Sequence, residues 1–238
     1  MKPITPQQIA SLSTAQQYFH DCYLLSSLGI LSRSKKGQKI LQNNITTNGK
    51  DFNIKFKNVN GKAEDYFISE SEINNLEYID SKPIFSNPSI PIVKSVELAM
   101  NKLIKKHPFQ KPLICRALET QERFEYNKPS NFLKLFTGIT PETINESNLS
   151  MSLLDKISKA IDTLKKIAND KDSTFIAGTG ISFEGLPSWH CYGITKVDIQ
   201  NNKFYVFDHR LNKELEFPII SGLLKFKFLT GFWSKDLK

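Results

Sequence analysis

Residues 16–28 have the sequence QQYFHDCYLLSSL, and they predict a helix that begins beside a cysteine. Asp21 is a residue type that caps helix N-termini, and the apolar side chains that follow recur at helical spacing, namely Leu24, Leu25, Leu28 and Leu31. Cys22 then falls in the first turn, where unpaired N–H groups and the positive end of the helix dipole favour the reactive thiolate. A cysteine beside an apolar helix is more often an inert core residue, so the function of Cys22 depends on its partners.

A candidate pair of partners lies in a hairpin predicted near the end of the chain. Residues 189–197 and 203–208 predict two antiparallel strands joined by a short polar turn. The midpoint between His190 and Asp208 is residue 199, close to that turn, so these two side chains are expected to share a face. A carboxylate beside a histidine fixes its tautomer and stabilises the imidazolium form. The alternative interpretation is a buried structural pair, or two exposed strand ends.

Gln16 is the candidate for a further role in the same site. A glutamine amide can donate a hydrogen bond to a developing oxyanion, and the backbone N–H of Cys22 would be the second donor. Taken alone, a glutamine in a polar loop carries no such implication, so this role depends on the other candidate residues.

The remaining histidines and cysteines are weaker candidates for chemistry. Neighbouring residues of an extended strand point to opposite faces, so Cys191 is expected to face away from His190 and to lie in the core. The same alternation is expected to turn His209 away from the face of Asp208. The others are interpreted as exposed or structural: His20, His107 and Cys115.

The segment around Cys22 resembles the active-site segment of the calpain-type cysteine proteases, within the wider papain-like group. In that family a glutamine stands six residues before the nucleophile and Asp-Cys-Trp-Leu-Leu opens the helix; here Gln16 precedes Asp-Cys-Tyr-Leu-Leu by the same spacing. Residues 185–197 resemble the histidine strand of the family, and residues 96–103 resemble its middle helix. The resemblance implies a catalytic triad of Cys22, His190 and Asp208, with Gln16 in the oxyanion hole.

Three features depart from the family pattern. Phe207-Asp208-His209-Arg210 stands where the family usually has Asn-Pro-Trp-Gly, so the shielding tryptophan is missing. His20 replaces the glycine before Asp-Cys, and Tyr23 replaces the tryptophan after it. The calcium-binding loops of the family have no clear match, so calcium activation is not carried over. No cofactor and no metal are expected.

The resemblance and the element pattern together predict an α+β fold in a single papain-like catalytic domain over residues 1–238. Residues 1–170 are expected to form a mainly helical lobe with a β-hairpin near 51–69, and residues 171–238 a mainly β lobe. Helices are predicted at 38–43, from Pro91, from 140–142 and at 153–167, and strands at 174–177, 191–198, 203–207 and 224–232.

The implied function is that of a thiol-dependent hydrolase, which cleaves peptide or isopeptide bonds through a thioester intermediate. The protein substrate is expected to bind in extended form in the cleft between the lobes. Two alternatives stay open. A transglutaminase, deamidase or deubiquitinase would use the same triad, and a protease-like fold without activity would serve as a binding module.

Composition limits the partners and the compartment. The net charge of the 238 residues is +8, and the basic residues occur as dispersed pairs, so nucleic acid is not expected as a partner. An acidic protein or an anionic membrane surface is a candidate contact. Three cysteines without a CxxC pair argue against a disulfide framework or a zinc site and favour a cytosolic-type reducing environment. No transmembrane segment or signal peptide is expected, which fits a bacterial effector secreted into a host cell without a cleaved signal.

Overall fold

A computed structural model describes residues 1–15, 22–58, 60–75, 78–79, 82–83, 90–107, 128–144, 152–180 and 186–237 of the chain. The helices in these ranges are α1 (Pro6–Leu12), α2 (Cys22–Arg33), α3 (Lys35–Asn44), α4 (Glu70–Asn74), α5 (Pro91–Lys106), α6 (Pro129–Thr137), α7 (Leu153–Asn169) and α8 (Ile219–Leu223). The strands are β1 (Lys2–Pro3), β2 (Ile45–Thr47), β3 (Phe52–Lys57), β4 (Ala63–Ile68), β5 (Tyr78–Ile79), β6 (Lys82–Pro83), β7 (Glu142–Ile144), β8 (Thr174–Thr179), β9 (Cys191–Asp198), β10 (Lys203–Asp208), β11 (Lys213–Pro218) and β12 (Phe226–Phe232). The fold is therefore mixed α+β, as predicted.

The first large sheet is built around the predicted hairpin of β3 and β4. These two strands pair antiparallel along their whole length, and β2 and β1 extend the sheet to four strands. The buried face of β3 carries Phe56, which packs edge-on against Phe132 and Phe136 of α6. This sheet and helices α2, α5 and α6 consequently share one hydrophobic core.

The second large sheet contains six antiparallel strands in the order β11-β10-β9-β8-β12-β7. Helix α7 contributes Ala160 and Leu164 to a second core, together with Phe175, Tyr192 and Phe204 of the sheet. Helix α7 was predicted from the helical spacing of its apolar residues, and the face that these residues form packs against the sheet.

The helix predicted to start at 140–142 is wrong, because residues Glu142–Ile144 form strand β7. Thr143 and Ile144 are β-branched and favour a strand, and they pair with β12, where the hydroxyl groups of Thr143 and Thr230 are 2.8 Å apart. The edge strand β11 was not predicted because half of its six residues are exposed and charged and only one is buried. Among the described helices, none has both the length and the apolar character needed to cross a membrane.

Helix α2 joins the two sheets. Eleven of its twelve residues are buried, and its core also includes Ile176, Cys191 and Phe232 from the six-stranded sheet. Close approach requires a small residue on β9: a Cβ added at Gly193 would lie 2.8 Å from a side-chain carbon of Ile30. This packing brings the first turn of α2 to the end of the sheet where β9 begins.

Candidate active site

Cys22 is the first residue of helix α2. The leucines that predicted this helix are fully buried, which fixes the helix and its first turn against the sheet. The Cys22 side chain is 8% exposed, and its Sγ atom lies 4.0 Å from the carbonyl oxygen of Trp189. The sulfur is therefore at the positive end of the helix dipole, which stabilises a thiolate.

His190 and Asp208 meet at one end of the hairpin of β9 and β10. His190 directly precedes β9, and Asp208 is the last residue of β10. The Nε2 atom of His190 lies 3.5 Å from Oδ1 of Asp208, and both side chains are buried. A separation of 3.5 Å is that of an ion pair and is long for a hydrogen bond. Catalytic contacts of this kind often shorten only when substrate binds.

A β-bulge brings the two residues to the same face of the sheet. At the turn Asp198 pairs with Lys203, a register that alone would leave Asp208 and His190 on opposite faces. The register then shifts by one residue, with Thr195 as the extra residue of β9, so that Phe207 pairs with Gly193. When this shifted register is continued by one residue, Asp208 lies on the same face of the sheet as His190, at a diagonal cross-strand position.

Backbone hydrogen bonds fix Asp208. Its Oδ1 atom accepts from the N–H groups of Arg210 at 2.8 Å and Leu211 at 3.2 Å. The Arg210 guanidinium is 3.7 Å from the other carboxylate oxygen. The carboxylate thus keeps a fixed position against the imidazole without depending on the substrate.

The His190 backbone is fixed by strand β8. Its N–H donates to the Thr179 hydroxyl at 2.9 Å, and its carbonyl oxygen accepts from the Thr179 N–H at 2.9 Å. The imidazole packs against the edge-on ring of Tyr192, with 4.7 Å between the ring centroids. These contacts hold the ring between Cys22 and Asp208.

The charges of the cluster favour a thiolate beside an imidazolium. Burial lowers the pKa of His190, but the adjacent Asp208 and Cys22 together outweigh it and raise that pKa to about 9. The Cys191 thiol has the largest effect on the pKa of Cys22 and lowers it; burial opposes this effect and His190 adds to it, so the pKa lies well below the usual thiol range. Burial raises the pKa of Asp208, but the contact with His190 prevails and lowers it.

Trp189 is an exposed aromatic residue beside Cys22. Its side chain is 61% exposed, and its φ of 54° lies in the left-handed region that bulky residues rarely adopt. Its N–H donates to the carbonyl oxygen of Gly180 at 2.9 Å, and the Lys227 ammonium group lies 4.7 Å from its ring centroid. This turn ends the extended backbone, so β9 begins at Cys191, which is the start predicted for the strand at 191–198 and two residues later than the start at 189 used for the hairpin.

Cys191 is buried in the core, as expected. Its influence on Cys22 was not predicted: the interaction of the two thiols, together with burial, raises the pKa of Cys191 well above the usual range. The sequence carries no periodic signal for an interaction between the first residues of two distant elements.

His209 is buried next to the end of strand β10. It is 1% exposed, and its Nδ1–H donates to the carbonyl oxygen of Ala15 at 2.7 Å. Burial has the largest effect on the pKa of His209 and lowers it to about 4. A neutral His209 therefore ties the end of β10 to the segment that precedes Gln16.

Several predicted residues cannot be compared with the structure. Gln16, His20, Asp21 and Cys115 lie outside the described residues. His107 ends helix α5, where its Nε2 atom lies 3.0 Å from a carboxylate oxygen of Glu64. In the described ranges, histidine, cysteine, aspartate and glutamate form no group of three or more that could hold a metal ion.

A scan against models of known protein families finds no match to the chain. A search of the curated proteins finds no match either.

The chemistry available to the site follows from its own residues. A thiolate beside an imidazolium can attack an electrophilic carbon and exchange a proton with the leaving group.

Proposed function

We propose that the chain is a papain-like cysteine peptidase, which cleaves peptide or isopeptide bonds in a protein substrate. The observation that carries the proposal is the continuous contact from Cys22 through His190 to Asp208. Burial alone would leave an imidazole neutral. The groups around His190 favour its charged form instead, which is the arrangement expected of an activated cysteine.

In the proposed reaction, the Cys22 thiolate attacks the carbonyl carbon of a substrate amide and forms a C–S bond. The tetrahedral intermediate collapses as the C–N bond breaks, and His190 gives its proton to the leaving amine. A thioester remains on Cys22. Neutral His190 then takes a proton from water, which attacks the thioester carbon and displaces the Cys22 thiolate, so that the starting ion pair is restored.

Asp208 has the role of orienting His190 and stabilising the imidazolium. Since Nε2 of His190 faces Asp208, Nδ1 is the ring nitrogen available to Cys22 and to the leaving group. We assign the oxyanion to the backbone N–H of Cys22 and the amide of Gln16. The role of Gln16 is supported by the resemblance to the calpain-type segment.

The arrangement of elements supports the papain-like assignment. A helix that begins with the nucleophile packs on an antiparallel sheet, and the sheet supplies first the histidine and then the carboxylate along the chain. The exposed ring of Trp189 and the ammonium group of Lys227 border this position. We expect an extended protein substrate to contact both.

The proposal is tested by incubating the full chain with casein and with ubiquitin conjugates, and by identifying new chain termini by mass spectrometry. Wild-type protein should produce cleavage, whereas Cys22→Ala should produce none. If Cys22→Ala left every detected activity intact, the assignment would be wrong.

A parallel incubation with a glutamine donor and an amine probe separates related reactions that share the thioester. Hydrolysis transfers the acyl group to water, whereas a transglutaminase would attach the amine probe. Ubiquitin release without casein cleavage would narrow the substrate to isopeptide bonds. Incorporation of the probe without cleavage would overturn peptide hydrolysis and leave the triad intact.

A further inference from the structure

We propose that Cys22 and Cys191 form a reversible intramolecular disulfide, which makes the pair a site of oxidative modification. Cys191 has no part in the reaction proposed above, yet it begins strand β9 beside the first turn of α2, and its thiol has the largest effect on the pKa of Cys22. Both cysteines are unpaired by any disulfide. The inference concerns the two thiols alone and does not depend on amide hydrolysis.

The packing of helix α2 on strand β9 holds the two thiols together. Each cysteine is the first residue of its element. One turn further along α2, the Ser26 hydroxyl donates to the carbonyl oxygen of Cys191 at 2.8 Å. A disulfide needs close backbone approach and facing Cβ atoms. Two element ends connected by this hydrogen bond are close to that condition.

The two thiols differ in reactivity, and this difference determines which of them is oxidised first. The Cys191 thiol and, after the opposing effect of burial, His190 lower the pKa of Cys22, whereas the contact with Cys22 and burial raise the pKa of Cys191. Thiolates react with hydroperoxides and thiols do not. Cys22 is therefore oxidised first, and Cys191 is the neighbour that resolves the product.

The steps balance with hydrogen peroxide as the two-electron oxidant. The Cys22 thiolate attacks one peroxide oxygen, the O–O bond breaks, and a proton is taken up, so that a sulfenic acid and water result. The Cys191 sulfur then attacks the Cys22 sulfur. The S–S bond forms, the S–O bond breaks, and the thiol proton leaves with the hydroxyl group as a second water. A dithiol reductant reverses the change by exchange.

The disulfide would occupy the sulfur that the proposed reaction needs. Any chemistry of Cys22 would then stop under oxidation and return after reduction. The same bond would protect Cys22 from further, irreversible oxidation to sulfinic and sulfonic acids.

The test treats the full chain with hydrogen peroxide, blocks free thiols with iodoacetamide, and digests it without reductant. Mass spectrometry should detect one peptide pair joined through Cys22 and Cys191. Labelling of Cys22 should be lost and should return after dithiothreitol. A Cys22–Cys115 link, or oxidation of Cys22 to sulfonic acid while Cys191 still alkylates, would overturn the proposal.

Two serine variants make the test specific. Cys191→Ser keeps a hydroxyl donor of similar size, and it should accumulate a Cys22 sulfenic acid that dimedone traps. Cys115→Ser is the matched control and should form the Cys22–Cys191 link as the wild type does. Loss of the link in Cys115→Ser, or equal dimedone trapping in wild type and Cys191→Ser, would contradict the assignment. Circular dichroism of each variant checks that the fold is retained.

Discussion

The imidazole of His190 lies 3.5 Å from the carboxylate of Asp208, although a complete hairpin separates the two residues in the chain. The carboxylate is fully buried and held by two backbone N–H groups. A fixed negative charge in this position favours the imidazolium form of His190, and the imidazolium in turn favours the thiolate of Cys22.

The first prediction concerns Asp208→Asn. The amide can still accept the backbone hydrogen bonds but carries no charge, so the pKa of His190 should fall and the pKa of Cys22 should rise. The pH midpoint of Cys22 alkylation by iodoacetamide should move up by about one unit. Asp198→Asn, in the exposed turn of the same hairpin, is the matched control and should leave the midpoint in place. Equal midpoints for wild type and Asp208→Asn would contradict the role given to Asp208.

The second prediction concerns His190→Ala. In the wild type, the Cys191 thiol lowers the pKa of Cys22 most, burial opposes this effect, and His190 lowers that pKa further and favours the thiolate. Without the imidazolium, alkylation of Cys22 at pH 6 should slow by about tenfold or more. The rate is measured by peptide mass after timed quenching. His107→Ala removes a histidine that contacts Glu64, and its Cys22 rate should match the wild type.

The third prediction concerns acid stability and His209. Its pKa is about 4 in the folded chain, below the ordinary value of about 6.5, so the unfolded chain binds the proton first. The stability from the neutral form is fully present above pH 6.5 and is lost as the pH falls through 4. The loss should reach about 2 kcal/mol by pH 5. Burial is the main cause, and Arg33 and His190 add to it whereas Asp208 opposes it.

The measurement is urea unfolding of the wild type and His209→Asn at pH 7 and pH 5. The asparagine can keep a donor toward Ala15 but does not titrate. Both proteins retain His190 and Asp208, so their contributions cancel in the comparison. The stability advantage of the wild type should shrink by about 2 kcal/mol on acidification. A constant difference between pH 7 and pH 5 would show that His209 titrates normally.

The fourth prediction concerns Gly29→Ala in helix α2. The added Cβ would lie 2.9 Å from Nε2 and 3.0 Å from Cε1 of His209, and the hydrogen bond to Ala15 prevents the ring from moving away. Overpacking should cost about 1–3 kcal/mol, despite the better helix propensity of alanine. In a His209→Ala background the same change should be neutral or stabilising. Additive effects in this double-mutant cycle would refute the proposed contact.

The fifth prediction compares two glycines of the six-stranded sheet. A Cβ at Gly231 would clash with the backbone of the neighbouring strand, at 2.7 Å from Cα of Phe175. A Cβ at Gly180 would meet only the flexible side chain of Lys227, at 3.1 Å. Gly231→Ala should therefore destabilise the chain by about 3 kcal/mol or more, and Gly180→Ala by less than about 1 kcal/mol. Equal melting temperatures for the two variants would contradict this packing.

Local patterns in the sequence predicted the elements that carry the site. Leucines at helical spacing fixed the position of α2, and alternating residues identified the strands beside His190 and Asp208. Contacts between distant elements were less predictable. The interaction of Cys191 with Cys22 joins the first residues of two elements that are far apart in the chain. Trp189, between the two elements, has a left-handed backbone, and tryptophan carries no preference that would indicate it.

The predicted proximity of His190 and Asp208 also depended on a feature of the hairpin that the sequence did not indicate. The midpoint between His190 and Asp208 is residue 199, whereas the pairing of Asp198 with Lys203 centres the turn later. The bulge at Thr195, which no propensity indicates, offsets this difference. The papain-like assignment and the role of Gln16 remain predictions.

Because of the bulge, the positions of His190 and Asp208 depend on whether the number of strand residues between them changes by an odd or an even number. Because side chains alternate along a strand, one residue inserted into or deleted from the paired part of β9 or β10 puts the side chains of His190 and Asp208 on opposite faces, whereas a change of two residues keeps them on one face. Thr195 is the extra residue of β9 that places both on one face. Homologous chains that keep this pair should therefore differ in the number of paired strand residues only by even numbers, or should carry a compensating bulge, whereas the turn itself is free to vary in length.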